Sequence, residues 1–441
     1  MSVSEQEVSY TFTYSQDVLY RLADWLEANM TKSDEYVEIY DENDTRTRIN
    51  GVGVSSSVRK RILDTSRISV LVGKRFVPMV KRECIEDVYS KRSEKIKRLS
   101  KTRVYTQNKF EMKFEQIYYE HNVGDTLDPL IANKQIALYN MLCPNTPIDI
   151  TNNSHLGTDE ILANCRFEME YEGELMRQNL LTCAQFIVDI ECVVLRDVFL
   201  APFLSHTTLL NDTCYRPFVD ERTEQMCCDD VKVWALKLNG VRGKGYIVNG
   251  HKMYVQLDDM RMYSGNLFNI GNNYLQNQIL SIQIECMDRE TFYITDILNV
   301  YKYKYDNRNQ YDVSVGVTVE IFDAIQYIQN NSNEKWILKN ENYTINVLFQ
   351  KFYTHKTHVD TQMEDNDGFV GVLANGSLIK IKAHQSYEMK YTKDGFFVCS
   401  FGKFKASSGL YKRDKIYEVI IINDTNQIQV IKERPDRLIS N

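Results

Sequence analysis

Polar and apolar residues alternate with a period of two along three stretches of the chain. Such alternation sets successive side chains on opposite faces of a β-strand. From Glu5 to Tyr14, the odd positions are Glu5, Glu7, Ser9, Thr11 and Thr13, and Val8, Tyr10, Phe12 and Tyr14 hold even ones. From Cys165 to Glu172, Arg166, Glu168, Glu170 and Glu172 share one face and Cys165, Phe167, Met169 and Tyr171 the other. The third stretch sets Lys109, Glu111, Lys113 and Glu115 against Phe110, Met112 and Phe114. After Ser15, a suitable helix cap, the stripe Val18, Leu19, Leu22 and Leu26 predicts an amphipathic helix. Gly173 ends the second acidic strand, and an apolar helix is expected from Glu174 to about Leu200. Arg46 to Tyr119 reads as mostly strand.

Pro202 and the polar segment His206 to Arg216 form the clearest boundary. Short strands dominate beyond it, and near Lys380 the pattern turns to strand and turn with Gly402 and Gly409. The expected class is α+β, with domains at 1–205, 206–382 and 383–441.

Three charged faces of this kind have two readings. They are half-exposed strands with solvated charges, or they close into an antiparallel barrel whose interior they line. Inside a barrel, clustered carboxylates require cationic or metal partners, and their oxygen donors suit Mg²⁺ or Mn²⁺.

Composition narrows the class. The chain has 441 residues, 43% hydrophobic and 26% charged, as expected of a soluble multidomain protein. The net charge of −7 excludes a simple basic nucleic-acid binder. Lysine and arginine nevertheless concentrate between Arg59 and Lys113, where 17 of them face six acidic residues. That run is a solvated face or a local funnel for a polyanion such as RNA or a triphosphate. Ten cysteines without a Cys-x-x-Cys pair read as reduced intracellular thiols. The start of the chain does not read as a signal peptide. Phe186 to Leu204 is interrupted by Asp189, Glu191, Arg196 and Asp197, so no membrane span is expected.

The most specific chemistry lies near Lys237. An apolar strand through Trp234 carries Lys237 towards Asn239 and Gly240, and Arg242 follows. Taken alone, this is also a strand ending in an Asn-Gly hairpin. Gly243-Lys244-Gly245 is not a P-loop, because no Ser or Thr follows the lysine. His355 and His358 lack further metal-ligand types nearby and read as surface residues.

Five more segments follow in order: Glu285 on a strand, the aromatic strand Phe292-Tyr293 to Asp296, Asp367-Gly368, Lys380 with Lys382, and Arg434 to Arg437. This ordered set resembles the covalent nucleotidyltransferase superfamily of mRNA capping enzymes and polynucleotide ligases. The paired Glu-x-Glu strands resemble the metal-dependent, tunnel-type RNA triphosphatases of fungal and viral capping systems. Their fusion in one chain of this size most resembles the late expression factor four family of baculoviruses.

The resemblance implies a triphosphate-tunnel barrel, then a nucleotidyltransferase domain of antiparallel sheets, then a terminal OB-fold-like domain. It implies RNA 5′-triphosphatase and guanylyltransferase activities, with GTP as substrate and Mg²⁺ or Mn²⁺ as cofactor. Expected partners are RNA 5′ ends and other subunits of a viral RNA polymerase, with no membrane, in the host nucleus. Lys237 would be the nucleophile that carries GMP. Glu5, Glu7, Glu168 and Glu170 would be catalytic and hold metal in the tunnel, with Lys113 and Arg166 on phosphate and Arg46 and Arg48 as further candidates. Asp367 would also meet metal. Arg242, Glu285, Asp367, Lys380, Lys382, Arg434, Asp436 and Arg437 would bind nucleotide, and Tyr293 would stack on guanine or fill the core. Two departures stand out: Asn239 replaces the superfamily's Asp, and Arg437 replaces a frequent Lys. The rival readings are an ATP-dependent polynucleotide ligase and a non-catalytic polymerase assembly subunit.

Overall fold

The computed structural model describes residues 2–50, 55–89, 93, 96–120, 162–196, 210, 213–270, 278–288, 290–305, 311–313, 316–359, 361, 366–406, 409–422, 427–435, 437 and 439–440. Expectations for Pro202, for residues 206–209 and for Asp436 lie outside these residues. Its first strands are β1 (Ser2–Phe12), β2 (Thr31–Asp41), β3 (Thr45–Asn50) and β4 (Ser55–Val72). They are followed by β5 (Arg75–Val88), β6 (Ile96–Gln107), β7 (Phe110–Glu120) and β8 (Leu162–Glu170). All eight close into one barrel in the order β1-β5-β4-β3-β2-β6-β7-β8, with antiparallel neighbours throughout.

Closure decides which way the alternating faces point. The three acidic strands are neighbours, with Glu7 opposite Glu170, Ser9 opposite Glu168, and Glu111 opposite Glu168. Their polar faces line the barrel interior. Their apolar faces turn outwards and are buried beneath α1 (Gln16–Asn29) and α2 (Arg177–Val194). Val8, Phe12, Met112, Phe114 and Phe167 meet Leu19, Leu22, Leu26 and Ile187 in one apolar cluster. The oily core of this module therefore lies outside the barrel wall, and the reading of half-exposed surface strands does not hold.

Ser15 occupies the N-cap of α1 as expected, but its side chain caps nothing; its carbonyl accepts the Leu19 N–H at 3.0 Å. The second helix is shorter than the pattern implied, and Gly173 takes a left-handed φ of 76° before it. Buried Glu191 pins α2 to the wall by pairing with Arg75 and accepting the Tyr10 and Tyr14 hydroxyls.

Phe167 tests this inside-out arrangement, because its ring sits 5.3 Å from Phe110 and 5.8 Å from Phe186 in the outer cluster. Phe167→Ala is expected to cost about 3–5 kcal/mol of unfolding free energy in a urea titration. A variant as stable as the parent protein would contradict the packing.

Two larger sheets follow, beside a two-stranded one of Tyr303–Tyr305 and Tyr311–Val313. A five-stranded sheet runs in the order Phe352–Tyr353, Val231–Leu238, Asn366–Leu373, Leu378–Lys382 and Phe218–Thr223. An eight-stranded sheet includes Val241–Val248, Ile279–Cys286 and Thr291–Tyr301, with α3 (Ile321–Asn330) packed on its core. Leu71 and Phe76, at the β4–β5 turn, enter that same core, and the Phe76 N–H donates to Gln278 Oε1 at 2.7 Å. The barrel and the larger sheet thus share apolar packing. The last five strands form a small closed barrel around Met389, Phe397, Val419 and Ile428.

The Asn-Gly hairpin does not form. Val231–Leu238 pairs within the smaller sheet, while Val241–Val248 pairs within the larger one, so Asn239-Gly240 crosses between sheets. A Cβ on Gly240 would lie 2.4 Å from the Cys286 carbonyl oxygen, which explains the glycine.

Candidate active sites

The barrel encloses a cavity of about 1220 Å³ lined by Glu5, Lys60, Lys113, Arg166, Glu168 and Glu170, among others. Glu5 and Glu168 each have a cation close by, and Glu170 has other acids pressing on it. Glu168, 4% exposed, pairs with both Lys113 and Arg166. Burial alone would raise Glu168, but Arg166 and Lys113 hold it down at about 2. Lys60 bridges Glu5 at 2.9 Å and Glu7 at 3.0 Å, and Arg82 reaches Glu7 at 3.2 Å. Glu170 is raised by burial and by the neighbouring charges of Glu5 and Glu111. Glu172 lies beyond the end of β8. Arg46 pairs with Glu86 and Arg48 with Glu38, further round the wall.

The donor chemistry of Glu5, Glu7, Glu168 and Glu170 suits a hard divalent cation. Burial is the larger cause for Glu170, and the Glu5 and Glu111 charges that add to it are negative charge that such a cation would relieve. The carboxylates do not converge as folded: among the described residues no three acidic, His or Cys side chains form a ligand group. Lysine and arginine hold those carboxylates instead. The sequence did not single out Lys60 or Arg82, although both belong to the basic run, because their role depends on barrel register.

The second candidate site lies where the two sheets meet. Lys237, 21% exposed, points from the end of its strand to Asp367 Oδ2 at 2.9 Å. Lys382 stands 3.7 Å from the same oxygen. Burial opposes ionisation of Asp367, but Lys237 and Lys382 hold it below its usual range. Lys380 faces the same way along its strand and is lowered by burial and by repulsion from Lys237 and Lys382, against the pull of Glu221. Its ammonium also lies over the Phe218 ring at 5.0 Å. Two lysines and one carboxylate from neighbouring strands thus surround the Lys237 amine in a cationic cluster.

Glu285 braces the crossing behind Lys237, where its Oε1 accepts the Gly240 N–H at 3.0 Å. Burial pushes Glu285 up to about 7 despite that bond and the nearby Lys237 and Arg242. A carboxyl raised in this way loses stabilising effect as pH climbs from its ordinary 4.5 through about 7. Thermal melts of Glu285→Gln should therefore show a smaller drop between pH 5 and pH 8 than the parent protein. An identical drop would place Glu285 in a solvated setting.

Other expected residues are placed less directly. Arg242 pairs with Asp258 at 2.9 Å and stacks over Tyr215 at 4.0 Å, beside the cleft. Tyr293 packs against the cluster of Val231, Trp234 and Phe369 beneath the Lys237 strand. Asp296 is buried and committed to Arg216 at 2.8 Å. His355 and His358 meet only edge to face, with no metal group among the described residues. On the terminal barrel, Arg434 and Arg437 each contact Glu388 at 3.0 Å. The sequence reading missed Glu418 and Lys432, which approach Lys382 and Asn239 from that barrel. The one signal for Glu418 was a single acid within the apolar run Ile416 to Ile422.

Residues 5–441 match the family model described as Late expression factor 4 (LEF-4). The chain is 30% identical over 476 residues to the mRNA capping enzyme LEF-4 of Autographa californica nuclear polyhedrosis virus, covering 100% of this chain and 99% of that protein. It is 29% identical over 465 residues to the mRNA capping enzyme LEF-4 of Orgyia pseudotsugata multicapsid polyhedrosis virus, covering 99% and 97%. Among solved structures, the mimivirus capping enzyme triphosphatase is similar over 42% of this chain and 88% of its own, with a TM-score of 0.25 and 11% identity.

Proposed function

The chain belongs to the late expression factor 4 family, and from that membership we propose that it caps mRNA with two active sites. The barrel removes the γ-phosphate of triphosphate-ended RNA, and the Lys237 cleft transfers GMP to the resulting diphosphate end. The observation that carries the second activity is the Lys237 amine, aligned by Asp367 at 2.9 Å and flanked by two strand-borne lysines, Lys380 and Lys382.

In the cleft, Lys237 Nζ attacks the α-phosphorus of GTP as the neutral amine. A P–N bond forms, the bond to the bridging oxygen breaks, and pyrophosphate leaves with the electron pair. Asp367 fixes the direction of Nζ, and Lys380 and Lys382 offset the negative charge that grows on the phosphoryl oxygens. A terminal oxygen of the RNA diphosphate then attacks the same phosphorus. The P–N bond breaks, and the departing Lys237 nitrogen takes back from solvent the proton it released to solvent when the P–N bond formed.

In the tunnel, Lys60, Arg82, Lys113 and Arg166 orient the phosphate chain through charge-assisted hydrogen bonds. Glu5, Glu7, Glu168 and Glu170 would hold Mg²⁺ or Mn²⁺, which when bound would supply an activated water and offset charge on the γ-phosphate. Asp367 is the corresponding candidate in the cleft. The proposal includes a functional division near residues 205 and 382, with Arg434 and Arg437 reaching the β- and γ-phosphates from the terminal barrel. It also includes work beside other subunits of a viral RNA polymerase in the host nucleus.

The test is a single reaction containing RNA labelled at the γ-phosphate, unlabelled GTP and a divalent metal. Release of labelled phosphate together with a GMP-blocked 5′ end supports the reading. Sealing of nicked strands with ATP in place of capping would replace it with a ligase.

A further inference from the structure

Cations of the Lys237 cleft are held by carboxylates of the terminal barrel. Glu418, on the strand Ile416–Ile422, is 6% exposed. It accepts a hydrogen bond from the Ser386 hydroxyl at 2.8 Å and faces Arg434 at 3.5 Å, Lys382 at 3.6 Å and Lys432 at 3.8 Å. Burial opposes its ionisation, but Ser386, Lys382 and Lys432 hold it below the usual carboxylate range. Glu388, on the neighbouring strand, takes Arg434 and Arg437 at 3.0 Å each. Lys432 also reaches Asn239 Oδ1 at 3.5 Å, two residues beyond Lys237. Lys382 links the two ends, because it also lies 3.7 Å from Asp367.

An exposed ion pair of this sort would contribute little, but a buried carboxylate depends on its partners. The same ammonium and guanidinium groups are the natural donors for a phosphate chain. Glu418 and a triphosphate cannot both hold Lys382 and Arg434 at full strength, so one must yield to the other.

We propose that Glu418, assisted by Glu388, is a built-in competitor for the triphosphate of GTP, displaced when the phosphate chain takes over Lys382, Arg434 and Arg437. This inference rests on the guanylyltransferase reading of the cleft. Lys432, outside all six motif segments, becomes a further phosphate-positioning residue, because loss of Glu418 leaves it beside Asn239 and the incoming nucleotide. The carboxylates oppose binding and take no part in bond making. They act on ground-state affinity rather than on the chemical step.

The experiment measures initial rates of covalent labelling from α-labelled GTP over a range of concentrations, in the full-length protein and in Glu418→Gln, Glu388→Gln and Lys432→Ala. Glu418→Gln should lower the half-saturating GTP on the order of ten-fold and Glu388→Gln about three-fold, with labelling at saturation at least as fast. Lys432→Ala should raise it. Glu388→Gln keeps the test decisive if Glu418→Gln does not fold. An unchanged or raised half-saturating GTP in folded glutamine variants overturns the competitor while leaving the guanylyltransferase intact. Absence of labelling in the parent protein overturns both.

Discussion

Lys237→Ala should lose covalent GMP labelling by at least about a thousand-fold while γ-phosphate release from triphosphate-ended RNA continues near the parent rate. Alanine removes the nitrogen that forms the P–N bond in this reading. The neighbouring amines do not substitute. Lys380 and Lys382 lie two strands away, beyond Asn366–Leu373, and Lys382 is engaged by Asp367, Glu221 and Glu418. Structural damage should be small, because Lys237 sits at the end of its strand with 21% of its side chain exposed. Its partner Asp367 keeps Lys382 nearby. Quantifying labelled protein on a denaturing gel, with phosphate release measured on the same preparation, checks both halves. Labelling that survives would assign the nucleophile elsewhere.

Glu168→Gln should have an equally large effect on the other activity. We expect phosphate hydrolysis to fall about 10²–10³-fold with GMP labelling retained, because a preorganised charge is lost beside the reacting phosphate. The substitution preserves shape but leaves Lys113 and Arg166 facing each other without their shared carboxylate. Such an uncompensated pair costs about 3 kcal/mol of stability. The pH dependence identifies the cause. Glu168 is held near 2 against an ordinary 4.5, so its contribution is complete above 4.5 and disappears as pH falls towards 2. Melts with a chelator present should show the gap between parent and variant closing over that interval. Full hydrolysis in the variant would remove the tunnel from the catalytic account, and a gap independent of pH would deny that Glu168 is ionised through its two cations.

The strands that carry this chemistry were legible because each wears its polarity on one face. Glu5 and Glu7 opposite Val8 and Tyr10, or Glu168 opposite Phe167, can be read without knowing any partner strand. Closure was not legible, since it depends on which strands pair. Lys60 and Arg82 join the site only because β5 lies between β1 and β4, with Arg82 opposite Glu7. Lys237, Asp367 and Lys382 were found through their order along the chain. The nature of the Asn239-Gly240 link was not, because a hairpin and a crossing between sheets share the same local sequence, and long-range pairing decides between them. Glu418 was overlooked for a similar reason. Within Ile416 to Ile422 it reads as one acid in an apolar strand, and only the approach of Lys382 and Ser386 gives it a role.

The central claim is a covalent lysyl-GMP enzyme, and the most direct measurement is adduct formation in the unaltered protein. The chain is incubated in parallel with α-labelled GTP and α-labelled ATP in Mg²⁺ or Mn²⁺, denatured, digested and mapped. The account predicts label from GTP alone, on the peptide containing Lys237, in an acid-labile P–N linkage. Label from ATP alone, or GTP label on a peptide lacking Lys237, would contradict it.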